Sequence, residues 1–180
     1  METIAPGAEI LRTDRLILRR FRMSDVGAYF EMMNQPSVEA SLRPGPQSVA
    51  MAGREIAMIE GHWALVGFSF FAVEEKSTSQ LIGRVGPWAP YGQPGVEVGW
   101  TIHPRRGRRG HATEAARAAG QWILQQRTDL SEVIHIIARN NRPSQVVARK
   151  LGGEPSGRTH VHPLIGTCDI WATPRAAFFG

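Results

Sequence analysis

The side chains best suited to chemistry in this chain crowd into one stretch, Gly95 to Ala115. Arg105, Arg106, Arg108 and Arg109 fall within five positions, interleaved with Gly107 and Gly110. An apolar run ends just before them at Pro104, and a helical pattern opens just after them near Ala112. That combination is suited to binding phosphate. The first N–H groups of a helix have no intrahelical partner and point outward, the helix dipole adds positive potential, and glycines admit a ligand to the backbone. Each dipole contribution is only about 0.3–1 kcal/mol. A pyrophosphate therefore requires several convergent N–H groups together with the arginines. The spacing fits neither Gly-x-Gly-x-x-Gly nor Gly-x-x-x-x-Gly-Lys-Ser/Thr, which disfavours Rossmann and P-loop sites.

Other reactive types are sparse. His160 and His162 put two imidazoles on one face of a strand, but no third ligand accompanies them, and no metal is expected. The single Cys168 excludes an intramolecular disulfide. No helix start or adjacent His activates it, so it reads as a small buried apolar residue in a reducing compartment. The arginine run could also serve nucleic acid. A nucleic-acid module spreads basic residues over a whole face with exposed aromatics. Here the run is compact and acidic residues dilute the charge elsewhere, so a nucleic-acid partner is not expected.

The elements that must position this stretch are legible from periodicity. Leu16 to Phe21 reads as a first strand, and Asp25 to Asn34 as a helix capped by Ser24 and stopped before Pro36. Residues 43–46 read as a loop, and Ser48 to Trp63 as a second helix. Phe68 to Glu74 and Leu81 to Val85 form a hairpin around a polar turn. Gly86 to Gly95 is too rich in Pro and Gly for helix or central strand and reads as a loop. Val96 to Ile102 is the next strand. The helix after it carries Ala112, Ala115, Ala116, Ala119, Trp122 and Ile123 at i, i+3, i+4 and i+7. Small residues at its start allow close approach to a sheet or ligand. Val133 to Ala138 is an apolar strand. Asn141 caps a helix with Pro143 in its first turn, Arg149 and Lys150 in its last and Gly152 at its end. Two more strands flank a turn at Pro163 to Gly166. Strands mixed with four helices make this an α/β protein with a mixed sheet.

Bulk properties fit one soluble domain over residues 1–180. The chain is 42% hydrophobic and 21% charged, with a formal charge of +5. No apolar run approaches the roughly 20 residues of a membrane span. Met1 to Ile10 carries Glu2 and Glu9 and lacks a basic-then-apolar signal pattern, so a cytoplasmic protein is expected.

Gly110-His-Ala-Thr-Glu-Ala115, following Gly99-Trp-Thr-Ile-His-Pro104, closely resembles the acetyl-CoA-binding motif of GCN5-related N-acetyltransferases, the GNAT superfamily. The resemblance is greatest to the branch of ribosomal-protein N-terminal acetyltransferases. Thr13-Asp-Arg-Leu-Ile-Leu-Arg19 is similar to that branch's opening strand, Leu81-Ile-Gly-Arg-Val-Gly86 to its third strand, and Asn141-Arg-Pro-Ser144 to its Asn-x-x-Ser helix. The resemblance spans about Leu11 to Gly153. It implies a mostly antiparallel twisted sheet of about six or seven strands with four flanking helices, split between the fourth and fifth strands. It also implies acetyl-CoA as co-substrate and an amine acceptor, with a homodimer suggested by analogy; the lack of an apolar span leaves no membrane partner expected. The pantetheine arm would lie against Trp100, Thr101, Ile102 and His103. The pyrophosphate would meet Arg108, Arg109, Gly110, His111, Ala112 and Thr113, with the His111 ring exposed near the cofactor. Asn141 would bond the arm while also capping its helix.

Amine acetylation needs a base and a donor for the leaving thiolate. Glu97 is the candidate base, with a merely paired strand carboxylate as the alternative. Many members place a Tyr acid where this chain has Ala148; in the branch it resembles, the serine takes that part, which makes Ser144 the candidate acid. The family loop usually opens with Arg or Gln at the position of Gly107. The alternative functional reading is a protein of this fold that binds acyl-CoA without transferring it.

Overall fold

The structure, a computed structural model, describes residue 5, residues 7–42 and residues 45–180. Among these residues the chain forms β1 (Glu9–Arg12), β2 (Leu16–Arg19), α1 (Val26–Met33), α2 (Pro36–Leu42), α3 (Val49–Val66), β3 (Phe71–Glu75), β4 (Gln80–Trp88) and β5 (Glu97–Ile102). It continues through α4 (His111–Gln126), β6 (Glu132–Ala138), α5 (Arg142–Lys150), β7 (Glu154–His162), β8 (Gly166–Pro174) and α6 (Ala176–Phe179). The strands make one sheet in the order β1-β2-β3-β4-β5-β6-β8-β7. Every neighbouring pair is antiparallel except β5 and β6. That parallel pair meets at one register position, Glu97 opposite Ile134.

The expected α/β fold with a mixed, mostly antiparallel sheet is present, with eight strands among the described residues where six or seven were expected and six α-helices where four were expected. β1 escaped notice because it is a four-residue edge strand with charged ends. Pro36 does stop α1, but its fixed φ also suits a first helical position, and it opens α2. The four-residue α6 is too short for periodicity to register. The loop expected over residues 43–46 lies partly outside the described residues.

Pro87, expected in a loop, lies within β4 opposite Val98 of β5. The pairing of β4 with β3 ends at Val85 opposite Phe71, so Pro87 sits where β4 has lost one neighbour and its missing N–H leaves no ladder bond unmade.

Residues directly opposite in an antiparallel pair share a face. Arg84 opposite Thr101, Gly86 opposite Gly99, and Trp88 opposite Glu97 therefore line one face. This face is roofed by α1 and α3, because Arg84 donates to the Tyr29 hydroxyl at 3.0 Å and to Glu55 Oε1 at 2.6 Å. Val85 and Trp100 line the other face, together with Phe71 opposite Val85. There Trp122 of α4 meets the Phe71 ring edge-on at 5.4 Å. With helices on both faces, Phe71, Ala72 and Val73 of β3 are all buried. Arg19 at the end of β2 is buried too, held by both carboxylate oxygens of Asp25 at 2.8 Å and by Glu74 at 2.9 Å. That bidentate clamp ties the start of α1 to β2 and β3.

Candidate active site

The parallel junction between β5 and β6 opens almost as soon as it forms. The Ile134 N–H bonds the Val96 carbonyl at 3.0 Å, and no further register pair follows. Side chains occupy the next two backbone groups instead. His135 Nδ1 lies 2.7 Å from the Val98 carbonyl, and the Glu97 carboxylate accepts the Ile136 N–H. A carbonyl only accepts, so His135 carries its proton on Nδ1 and accepts at Nε2 from the Thr173 hydroxyl at 2.9 Å. Burial holds the imidazole down at about 4, against the opposing pull of the Val98 carbonyl, so it stays neutral at ordinary pH. The result is a V-shaped gap in the sheet whose apex is closed by two side chains.

Glu97 stands at this apex on the face roofed by α1 and α3. Its Oε2 accepts from Gln93 Nε2 at 2.8 Å. Burial pushes the carboxyl up to about 7, against the Ile136 N–H, the Arg84 charge and the Gln93 amide, which pull it down. Next to it the Phe70 ring stacks on Trp88 at 5.4 Å, and Trp88 lies 4.5 Å from the His62 ring. This aromatic wall accounts for the desolvation. Trp88, the last residue of β4, therefore lines the site, whereas Tyr91 in the loop that follows is fully exposed.

Ser144 approaches from the other face. Its Oγ accepts from Trp100 Nε1 at 3.3 Å. An indole N–H only donates, so the hydroxyl proton remains free to be given elsewhere. Asn141 Oδ1 caps α5 by accepting the Ser144 N–H at 3.2 Å, leaving the Asn141 amide NH2 as a donor. Glu97 and Ser144 are thus brought to opposite sides of one gap. The β5 backbone between them alternates in the groups it offers. The His103 N–H is bonded to the Ile82 carbonyl at 2.8 Å, so β5 residues in step with it bond β4. Trp100 and Ile102 accordingly present their N–H and C=O to the gap, while Thr101 and His103 do not. The His103 ring instead caps the turn that follows, its Nδ1 accepting the Arg105 N–H at 3.2 Å.

The arginine loop follows directly. Gly107 is explained by close approach, since a Cβ there would lie 3.0 Å from the Pro104 carbonyl oxygen. Arg108 and Gly110 have φ of +59° and +83°, and Gly110 precedes α4 with no side-chain cap. The first bond of α4 runs from the Glu114 N–H to the Gly110 carbonyl at 3.0 Å. The N–H groups of His111, Ala112 and Thr113 consequently have no helix partner. Arg108 and Arg109 are exposed and form no ion pair among the described residues. Arg106 is turned away, 3.5 Å from Glu75 and 3.3 Å from Gln80 Oε1. His111 departs from expectation, because its ring is buried with Nε2 3.9 Å from Glu75, and only its backbone N–H faces the loop. A first-turn side chain on the sheet side of α4 has no route to solvent.

A cavity of about 660 Å³ opens between α2, the β6–α5 turn and the β7–β8 turn, lined by Pro36, Glu39, Ser41, Asn140, Leu164 and Ile165. Sequence reasoning did not single out His135 or Gln93. A lone His inside the apolar Val133 to Ala138 strand was the available signal for the first. Nothing local marks the second.

The chain is similar to known proteins in sequence and in fold. Residues 15–154 match the family model described as an acetyltransferase (GNAT) domain. The chain is 26% identical over 147 residues to the uncharacterized N-acetyltransferase YnaD of Bacillus subtilis, covering 82% of this chain and 84% of that protein. Its fold matches an acetyltransferase of Agrobacterium tumefaciens with a TM-score of 0.79 at 24% identity, covering 96% and 98% of the two chains. It also matches Mycobacterium smegmatis RimJ, solved in complex with CoA-disulfide, with a TM-score of 0.71 at 17% identity over 91% and 86%. With the domain model matched across most of its length, the chain belongs to the GNAT family of acetyltransferases.

Proposed function

We propose that the enzyme transfers acetyl from acetyl-CoA directly to a primary amine, with both substrates bound at the β5–β6 gap. The observation that carries this reading is the disposition of Glu97 and Ser144 on opposite sides of that gap. The pantetheine arm extends along the free backbone groups of Trp100 and Ile102, with the Asn141 amide as a further donor. The pyrophosphate rests on the N–H groups of Gly110 to Thr113, with Arg108 and Arg109 supplying charge. The amine enters from the cavity beside α2. Its nitrogen attacks the thioester carbonyl carbon, Glu97 takes the proton it loses, and the C–S bond breaks. The departing thiolate receives a proton through the Ser144 hydroxyl, which is replenished from water as Glu97 returns its proton to solvent.

A base that titrates near 7 suits an α-amine. At pH 7 an α-amine of pKa near 7.8 is roughly a tenth neutral, whereas a lysine near 10.4 is neutral well below about 0.1%. Protein N-termini and small-molecule α-amines are therefore the first acceptors to try. The test is calorimetric titration with acetyl-CoA, followed by thiol release with a panel of amines. Micromolar binding and turnover of an α-amine are expected. Binding with no turnover of any amine would leave an acyl-CoA-binding protein, and no binding would end this reading altogether.

A further inference from the structure

Two features of the chain are left without a role by the proposed reaction: the Thr13 to Arg15 turn between β1 and β2, and the absence of an Arg or Gln at Gly107. They meet in space. Arg15 Nη1 donates to the Arg109 carbonyl at 2.7 Å, in the middle of the arginine loop. Its Nε donates to Glu114 Oε2 at 2.6 Å, while its own N–H reaches Glu114 Oε1 at 3.0 Å. The Thr13 hydroxyl donates to the same Oε1 at 2.6 Å. Nη2 sits beside Gly110, 3.3 Å from where a Cβ would stand. Residues nearly a hundred positions apart thus lock the β1–β2 turn onto the first turn of α4.

Resting on the acetyl-CoA reading above, we propose that Arg15, clasped by Glu114, is the positioning residue of the pyrophosphate loop. A trans peptide is planar, and its C=O and N–H point in opposite directions. Holding the Arg109 carbonyl therefore aims the Gly110 N–H away from Arg15, to the side where the N–H groups of His111 to Thr113 are unpartnered. The loop has left-handed residues at Arg108 and Gly110 and no side-chain cap, so little else sets the orientation of the peptide between them. Arg15 also neutralises Glu114. A carboxylate in the first turn of a helix suits the helix dipole, but beside a bound pyrophosphate it repels. The clasp keeps the first effect and removes the second. It also brings a guanidinium beside a loop that has Gly107 where the family usually has Arg or Gln.

The test compares binding of acetyl-CoA and of S-acetylpantetheine, which lacks the pyrophosphate, by wild type, Arg15→Met, Arg15→Lys, Glu114→Gln and the double variant. Calorimetry reads the first ligand, thermal shift the second, and melting of the unliganded proteins checks the fold. Arg15→Met is expected to weaken acetyl-CoA about tenfold while leaving S-acetylpantetheine unchanged. Arg15→Lys is expected to fall between, because one ammonium cannot span Glu114 and the Arg109 carbonyl. The double variant is expected to recover part of the loss, since it removes the unneutralised carboxylate. Equal weakening of both ligands, or no recovery in the double variant, would make the clasp merely structural and overturn the proposal. Unchanged acetyl-CoA binding by Arg15→Met would overturn it as well. If wild type itself fails to bind acetyl-CoA, the acetyltransferase mechanism falls first and the proposal falls with it.

Discussion

Glu97 combines two properties that oppose each other: a position where a base is useful and surroundings that disfavour its charge. The desolvation that pushes it up to about 7 brings its titration into the working range of a general base. As the proposed base, Glu97 acts deprotonated, so kcat/KM is expected to rise with pH through about 7. Glu97→Gln should remove that limb, leaving only the rise set by the acceptor amine's own pKa near 7.8, and lower the rate by about 10²–10⁴-fold; a pH profile of both forms is the check. The sign for stability is the reverse. A carboxyl raised in the fold stabilises it only while protonated, and that contribution is lost as pH rises from the unfolded value through about 7. Glu97→Gln should therefore melt above wild type at pH 8, by about 1–2 kcal/mol after solvent screening, and match it near pH 4. Arg108 shows the same kind of conflict in its backbone. At φ +59° it is a non-glycine residue in the left-handed region. Arg108→Gly should relieve about 1–2 kcal/mol of strain, less the 0.5–1 kcal/mol that glycine loses in entropy. Thermal melting should show a small gain in stability and titration a loss of acetyl-CoA affinity.

Among the elements, β5, β6 and α5 make the gap, and each is held by a side chain. His135 fastens β6 to both neighbours, through the Val98 carbonyl and the Thr173 hydroxyl, while its ring lies 4.9 Å from Trp100, the donor to Ser144. His135→Phe retains the ring but strands two buried polar groups. It should destabilise the protein by about 1–3 kcal/mol for each group left unpaired. Asn141→Ala removes the α5 cap and should cost about 1 kcal/mol in melting experiments. Strand, loop and helix succession here was readable because periodicity and caps are local properties. His135, which closes the gap together with Glu97, was not, because a histidine in an apolar strand looks the same whether its neighbour pairs with it or turns away.

For the whole molecule, the C-terminal segment closes the fold back onto α4. Phe178 is buried against Gly120, where a Cβ would lie 2.3 Å from its ring. Gln121 Nε2 donates to the Phe178 carbonyl at 2.8 Å, and Arg117 donates to the Ala177 carbonyl at 3.2 Å. Phe178→Ala should lower stability by about 3–5 kcal/mol. It packs at Gly120, ten positions along α4 from Gly110, so acetyl-CoA affinity measured well below the melting point should not change. Among the described residues no helix is long and apolar enough to cross a membrane.

Residues 95–115 by themselves determined that a strand, a glycine–arginine loop and a helix start would meet to make an anion site, because backbone geometry and helix dipoles are set by neighbours in the chain. The Asn141 cap and the small residues of α4 were determined in the same local way, and the motif resemblance added the family. Only the tertiary structure decided which arginines face the loop, since Arg106 is drawn to Glu75 and Arg15 is brought in from ninety-four positions away. It alone decided that the His111 ring is buried and that Glu97 titrates near 7. Both depend on desolvation, which is a sum over every atom nearby in space, and a one-dimensional order of residues does not contain that sum.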